Sequence, residues 1–155
     1  MTNIITTQQS NYLWQYDQHC FDDMSEHYFT AEYWQKNNAV IGQESGRGTT
    51  WFVQQGKDQL VLRHYLRGGM MRRLSRDKYL FSGYQHSRSI SEFNVLHALL
   101  KKKLPVPTPA AAQVIKHGFL YEADLLTHKI PHARDLIQVL RHPQSTGFYK
   151  QLGKM

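Results

Sequence analysis

Three β-patterned runs follow one another from Ala39 with only tight turns between them, and this sets the topology of the middle of the chain. Ala39 to Glu44 reads as a short strand, Ser45-Gly46-Arg47-Gly48 as a turn, and Thr49 to Gln54 as a run of β-branched and aromatic residues. Gln55-Gly56-Lys57-Asp58 is a second turn, and Gln59 to Tyr65 alternates as a strand does. Successive strand side chains point to opposite faces. Leu60, Leu62 and His64 are therefore expected on one face, and Val61, Arg63 and Tyr65 on the other. Strands joined by turns this short pair antiparallel, so the region is a three-stranded meander.

The pattern changes after Gly68-Gly69. Met70 to Lys78 reads as a short basic helix. Ser89 to Lys103 is the principal helix: Phe93, Leu96, Leu99 and Leu100 fall on one apolar face, and Ser89 and Glu92 have capping-box spacing. The prolines of 104–109 end it in an extended segment. Ala111 to His117 and Phe119 to Ile130, joined at Gly118, are two more strands. Upstream, residues 1–29 are a lead-in, polar and irregular or weakly extended over 1–20, and Thr30 to Lys36 reads as a short helix with Thr30 as N-cap, stopped by Asn37-Asn38. Downstream, Pro131-His132-Ala133 is a linker, Asp135 to Leu140 starts a helix, and Thr146 to Met155 starts another. The expected class is α+β: a five-stranded antiparallel sheet with one principal helix over residues 30–131, then a helical region over 132–155.

A chain of 155 residues with 41% apolar content is sufficient for one buried core. It has no apolar run near the ~20 residues that span a bilayer, and its N-terminus lacks the basic and apolar regions of a secretory signal. The single cysteine, Cys20, excludes an internal disulfide framework. The net charge is +7, concentrated in Arg63, Arg67, Arg72, Arg73, Arg76 and Lys78, with a second run at Lys101-Lys102-Lys103. Such a balance favours anionic partners: nucleic acid, phosphorylated metabolites or anionic lipid. The histidines show no zinc spacing, and there is no nucleophile-elbow motif.

The turn Gly46-Arg47-Gly48 carries the strongest hint of chemistry. Glycines there let backbone N–H groups approach phosphate oxygens without a Cβ in the way. A dinucleotide fingerprint would follow a strand and open a helix, whereas this turn joins two strands. The kinase pattern G-x-G-x-x-G-x-V does sit in a hairpin, and Gly46, Gly48 and Val53 match it, with Trp51 at the third glycine. A kinase also places a cation on the next strand, oriented by a helix carboxylate. Arg63, two residues after Val61, and Glu92, near the start of the principal helix, fill those places. Arginine is a departure from the usual lysine, because its planar fork reaches phosphate and carboxylate differently.

Around these residues the resemblance becomes specific. The stretches 45–53, 62–69, 77–83 (Asp77-Lys78-Tyr79-Leu80-Phe81-Ser82-Gly83), 104–110 and Ala123-Asp124-Leu125-Leu126-Thr127 resemble the Kdo kinases of Gram-negative bacteria, a branch of the protein-kinase-like fold. The likeness covers about residues 30–155. It implies a kinase-like N-lobe followed by the start of a C-lobe, and ATP and Mg2+ as cofactors. It further implies phosphorylation of the 4-hydroxyl of a 3-deoxy-D-manno-octulosonic acid (Kdo) residue on Kdo-lipid IVA, at the cytoplasmic face of the bacterial inner membrane. By position it assigns Gly46, Arg47, Gly48, Thr49, Thr50, Val53, Val61, Arg63 and Glu92 to the nucleotide, and Thr127, His128, Lys129 and Ile130 to the hinge that meets adenine. The catalytic aspartate and the metal ligands of that family are expected beyond Met155, so the chain is expected to be a fragment without turnover. Asp124 and Asp135 stand in superficially similar triplets, but the first falls within a strand and the second at a helix start. The basic stretch, with Met70, Met71, Tyr79, Phe81 and Tyr84, is a candidate for contact with an anionic membrane surface. Two other readings use the same residues: a basic nucleic-acid-binding module, which needs stacking aromatics on one sheet face, and a nucleotide-binding regulator without catalysis. Trp51 and Phe52 are neighbours on opposite faces, a poor stacking platform, and nucleic acid is not the expected partner.

Overall fold

The structure is a computed structural model. It describes residues 3–45, 48–66, 78–131, 133, 139–141 and 145–152, with residues 151 and 152 by backbone only. In chain order the elements are β1 (Ile4–Gln9), β2 (Tyr12–Asp17), a 3-10 turn at Glu26–Phe29, α1 (Ala31–Lys36), β3 (Val40–Ser45), β4 (Thr49–Gln55) and β5 (Asp58–His64). Then come β6 (Tyr79–Leu80), a 3-10 turn at Tyr84–His86, α2 (Arg88–Lys101), β7 (Pro109–His117), β8 (Leu120–His128) and α3 (Thr146–Leu152).

The strands form one antiparallel sheet in the order β1-β2-β7-β8-β5-β4-β3, with β6 paired to the free part of β8. The five strands expected from the sequence are all present and adjacent, as β3-β4-β5-β8-β7. The sheet has eight strands rather than five, because Tyr79–Leu80 adds β6 and the N-terminal lead-in, expected as irregular or weakly extended, is regular sheet. They form the β1–β2 hairpin, turning at Ser10, whose φ of 49° is left-handed, and β2 pairs with β7 from Tyr12↔Ile115 to Tyr16↔Ala111. The hairpin is held by burial on both faces: Leu13 packs toward α2, and Trp14 and Tyr16 pack on the other side.

Each face of the sheet has its own core. One combines Val53, Leu60, Leu62, Ala111 and Leu126 with Phe21, Met24, Phe29 and Trp34 of the N-terminal connection and α1. The other sets Ile90 and Phe93 of α2 against Ala112, Val114, Ala123 and Leu125. At about 25 cal/mol per Å2 of apolar area, each fully buried Phe or Leu contributes ~1.5–3 kcal/mol.

Helix ends differ in detail from the sequence reading. α2 begins at Arg88 with Ser87 as N-cap, so Glu92 stands in its second turn and no capping box forms. Ser89 is fully buried, and its hydroxyl donates to the Gln113 carbonyl at 2.8 Å, which ties α2 to β7. Thr30 is the N-cap of α1, but its hydroxyl donates back to the His27 carbonyl instead of capping. The basic helix expected over Met70 to Lys78 lies outside the described residues except for Lys78, which is not helical, and the helix from Asp135 lies outside them except for Val139 and Leu140.

Candidate active-site cleft

Antiparallel pairing fixes which side chains share a face. Thr50↔Arg63↔Leu125 and Phe52↔Val61↔Thr127 are rows on the α2 side of the sheet. Beyond the end of the α2 core, these rows open into a cleft of about 640 Å3. Phe52, Val61, Leu96 and Pro107 form its apolar walls, and Arg63, Glu92 and the Thr127–Ile130 segment supply polar groups. Gly42 lies opposite Phe52; a Cβ there would come within 3.3 Å of the ring, so the bare backbone at this irregular point of β3 lets the ring lie across it.

The charged end of the cleft is built from two elements. Arg63 from β5 forms an ion pair with Oε1 of Glu92 from α2, and the Tyr65 hydroxyl donates to Oε2. Arg63 also lies 5.9 Å from the centre of the Tyr65 ring. With side-chain exposures of 41% and 35%, Arg63 and Glu92 are screened by water, so the pair adds only ~0.2–1 kcal/mol to stability. Its consequence is placement: the guanidinium is held at the mouth of the cleft with donors left over for an anion. Burial, and then the hydrogen bond to Glu92, push the Tyr65 hydroxyl far above its ordinary range, so it remains a donor. The sequence had placed Tyr65 on the same face as Arg63 without giving it a role; its link to Glu92 spans 27 residues and has no local signal.

The other end is the exit from β8. Thr127 is buried beside Val61. The His128 N–H donates to the Thr108 carbonyl at 2.7 Å, and the Lys129 N–H to the Gln59 carbonyl at 2.8 Å. Among the described residues the Ile130 N–H has no backbone acceptor, and its carbonyl accepts from Ala133. The Lys129 ammonium lies 5.2 Å over the Phe52 ring. From behind, Cys20 meets His128 Nε2 at 3.3 Å. Burial, with Asp17 and Asp58 adding, lifts the Cys20 thiol to about 11, so it is an unreactive packing group.

The residues assigned from the sequence therefore divide. Val61, Arg63, Glu92, Thr127, His128, Lys129 and Ile130 line one cleft. Thr50 shares the face of Arg63 through direct pairing. Val53 does not line it: it is fully buried on the opposite face among Trp34 and Leu60, and Phe52 takes the cleft position. The Thr49 side chain also faces the other side, beside Trp51 and Leu62. Gly48 immediately precedes β4 and lies close to Leu66, and Gly46 and Arg47 lie outside the described residues. Asp124 is a buried strand residue that accepts from Gln113 at 3.2 Å and faces His64 Nδ1 at 2.6 Å. Among the described residues no three His, Cys, Asp or Glu side chains group to hold a metal ion.

Comparison with known proteins gives this arrangement a family. The sequence model of the Lipopolysaccharide kinase (Kdo/WaaP) family matches residues 31–154. The 3-deoxy-D-manno-octulosonic acid kinase of Vibrio parahaemolyticus is 46% identical over 146 residues, covering 94% of this chain and 61% of the relative. The protein of that name from Vibrio cholerae is 48% identical over 124 residues, with 79% and 53% covered. One from Haemophilus influenzae is 42% identical over 144 residues, with 87% and 58% covered. The chain thus spans between half and two thirds of the length of these relatives. No solved structure matches.

Proposed function

The chain belongs to the Lipopolysaccharide kinase (Kdo/WaaP) family, and from that premise we propose that it forms the ATP-holding part of an enzyme that phosphorylates the 4-hydroxyl of Kdo on Kdo-lipid IVA. The observation that carries this reading is the Arg63–Glu92 pair at the mouth of an apolar cleft whose far end is the Thr127–Ile130 segment. The cleft fits ATP in its parts. Phe52, Val61 and Leu96 offer apolar contact for a base, and the Ile130 N–H, which has no backbone acceptor among the described residues, offers a donor at the edge. Arg63 offers a fixed cation for phosphate oxygens, in the place a kinase gives to lysine. Bound ATP supplies the transferable phosphoryl group, and this chain's residues bind and orient it. We assign the accompanying Mg2+ and the catalytic aspartate to residues outside this chain and derive no step through them. The acceptor is amphiphilic, so the same reading places the enzyme at the cytoplasmic face of the inner membrane, with an anionic lipid surface as partner.

Amide hydrogen exchange of the chain with and without Mg2+·ATP tests the binding part. Slowed exchange is expected at Val61–Arg63 and Thr127–Ile130, and its loss in Arg63→Ala. No slowing there, or slowing that Arg63→Ala leaves intact, contradicts the assignment.

A further inference from the structure

The most exposed apolar side chains of the described residues are two neighbours far from the cleft. Phe119 is 89% exposed and Leu80 71%. They share a corner: β6 joins the start of β8 through Tyr79↔Tyr121 and Leu80↔Leu120, and the Phe81 N–H donates to the Phe119 carbonyl at 2.9 Å. Gly118, with φ 62°, makes the tight β7–β8 turn that projects Phe119. Tyr79, Phe81 and Tyr84, singled out in the sequence, instead pack toward the α2 core, so the exposed apolar pair is one that composition did not select.

The surroundings of this corner are cationic on both sides of the sheet. Lys116 lies 4.9 Å over the Phe81 ring and Arg88 lies 4.8 Å over the Tyr79 ring. Lys78 and His117 approach the Glu122 carboxylate at 3.8 and 3.3 Å. Lys78, Arg88 and Lys116 thus stand around two bare apolar side chains. A projecting apolar tip with basic, long-stemmed neighbours suits a soft anionic phase: the apolar groups enter the interface while the cations stay with the headgroups.

We propose that the β6 and β7–β8 corner is the surface that seats this protein on an anionic bilayer, through Phe119 and Leu80 with Lys78, Arg88 and Lys116 at headgroup level. The proposal rests on the reading of the acceptor as a membrane lipid and names the residues that meet that membrane. The corner is eight residues of β8 from Thr127, about 25 Å at ~3.3 Å per residue. Changes there leave the cleft untouched.

The test is co-sedimentation of the chain with phosphatidylethanolamine–phosphatidylglycerol vesicles and with phosphatidylcholine vesicles, run beside sedimentation velocity without lipid. Binding to the anionic vesicles alone is expected, weakened about tenfold in a Leu80→Ser, Phe119→Ser variant and made less salt-dependent by Lys116→Ser. Equal binding to both vesicle types, unchanged binding by the double variant, or no binding by the parent overturns the proposal. So does a concentration-dependent dimer that the double variant abolishes while vesicle binding persists, since the occupant is then a second copy. Slowed exchange of the cleft by ATP, measured on the same variants, reports on the kinase reading separately.

Discussion

Glu92 is the residue on which the site turns, because one carboxylate receives donors from Arg63 on β5 and from Tyr65 just beyond its end. Arg63 takes Oε1 and Tyr65 takes Oε2, so the carboxylate cannot rotate without losing one of them. Tyr65→Phe removes one donor to a half-buried charged group, a change worth ~1–3 kcal/mol. The expected result is a lowered urea midpoint together with ATP binding weakened by about fivefold or more; a variant that loses stability but binds ATP as the parent does would assign Tyr65 to packing alone. Arg63 and Glu92 were legible in the sequence because each stands at a place where strand or helix periodicity sets its face. Val53 was not. A glycine-turn motif gives spacing, but which of Phe52 and Val53 faces the cleft depends on the pairing of β4 with Val61 and Leu60. A shift of one residue moves every side chain to the other face. Tyr65 was visible only as a member of the right face, since its partner is distant in sequence.

At the scale of elements, alternation and turn residues were enough to place β3, β4, β5, β7 and β8, and the apolar repeat placed α2. The β1–β2 hairpin escaped for a physical reason. β2 is buried on both faces, so Tyr12-Leu13-Trp14-Gln15-Tyr16 lacks alternation, and β1 is an edge strand with mostly polar residues. The aromatic, β-prone run after the Ser10-Asn11 turn was the available signal. A buried polar chain ties this hairpin to the rest. The Trp14 indole donates to Gln113 at 2.8 Å, Gln113 donates to Asp124, and Asp124 faces His64, so one line of contacts joins β2, β7, β8 and β5. Asp124→Ala leaves the Gln113 amide without its acceptor in a buried position. The expected loss is ~1–3 kcal/mol in urea unfolding, with the cleft residues still slowed in exchange by ATP. A loss near zero would mean that water or a shifted Gln113 replaces the carboxylate.

For the whole molecule, the sheet separates two working regions. The cleft lies at the exit of β8 and the apolar corner at its start, so the proposed nucleotide and membrane contacts are spaced by one strand length. The +7 charge fits both an anionic cofactor and an anionic surface. What the cleft contributes to a reaction is read from phosphoryl transfer itself. The measurement joins this chain to the part of the Vibrio parahaemolyticus relative that follows the matched segment. Transfer of label from ATP to Kdo-lipid IVA is then followed, with Arg63→Ala beside the parent chimera. Transfer by the parent chimera is expected, with a loss of about 100-fold or more in Arg63→Ala. A chimera that folds without transferring phosphate, or an Arg63→Ala form that transfers it as fast as its parent, would contradict the account.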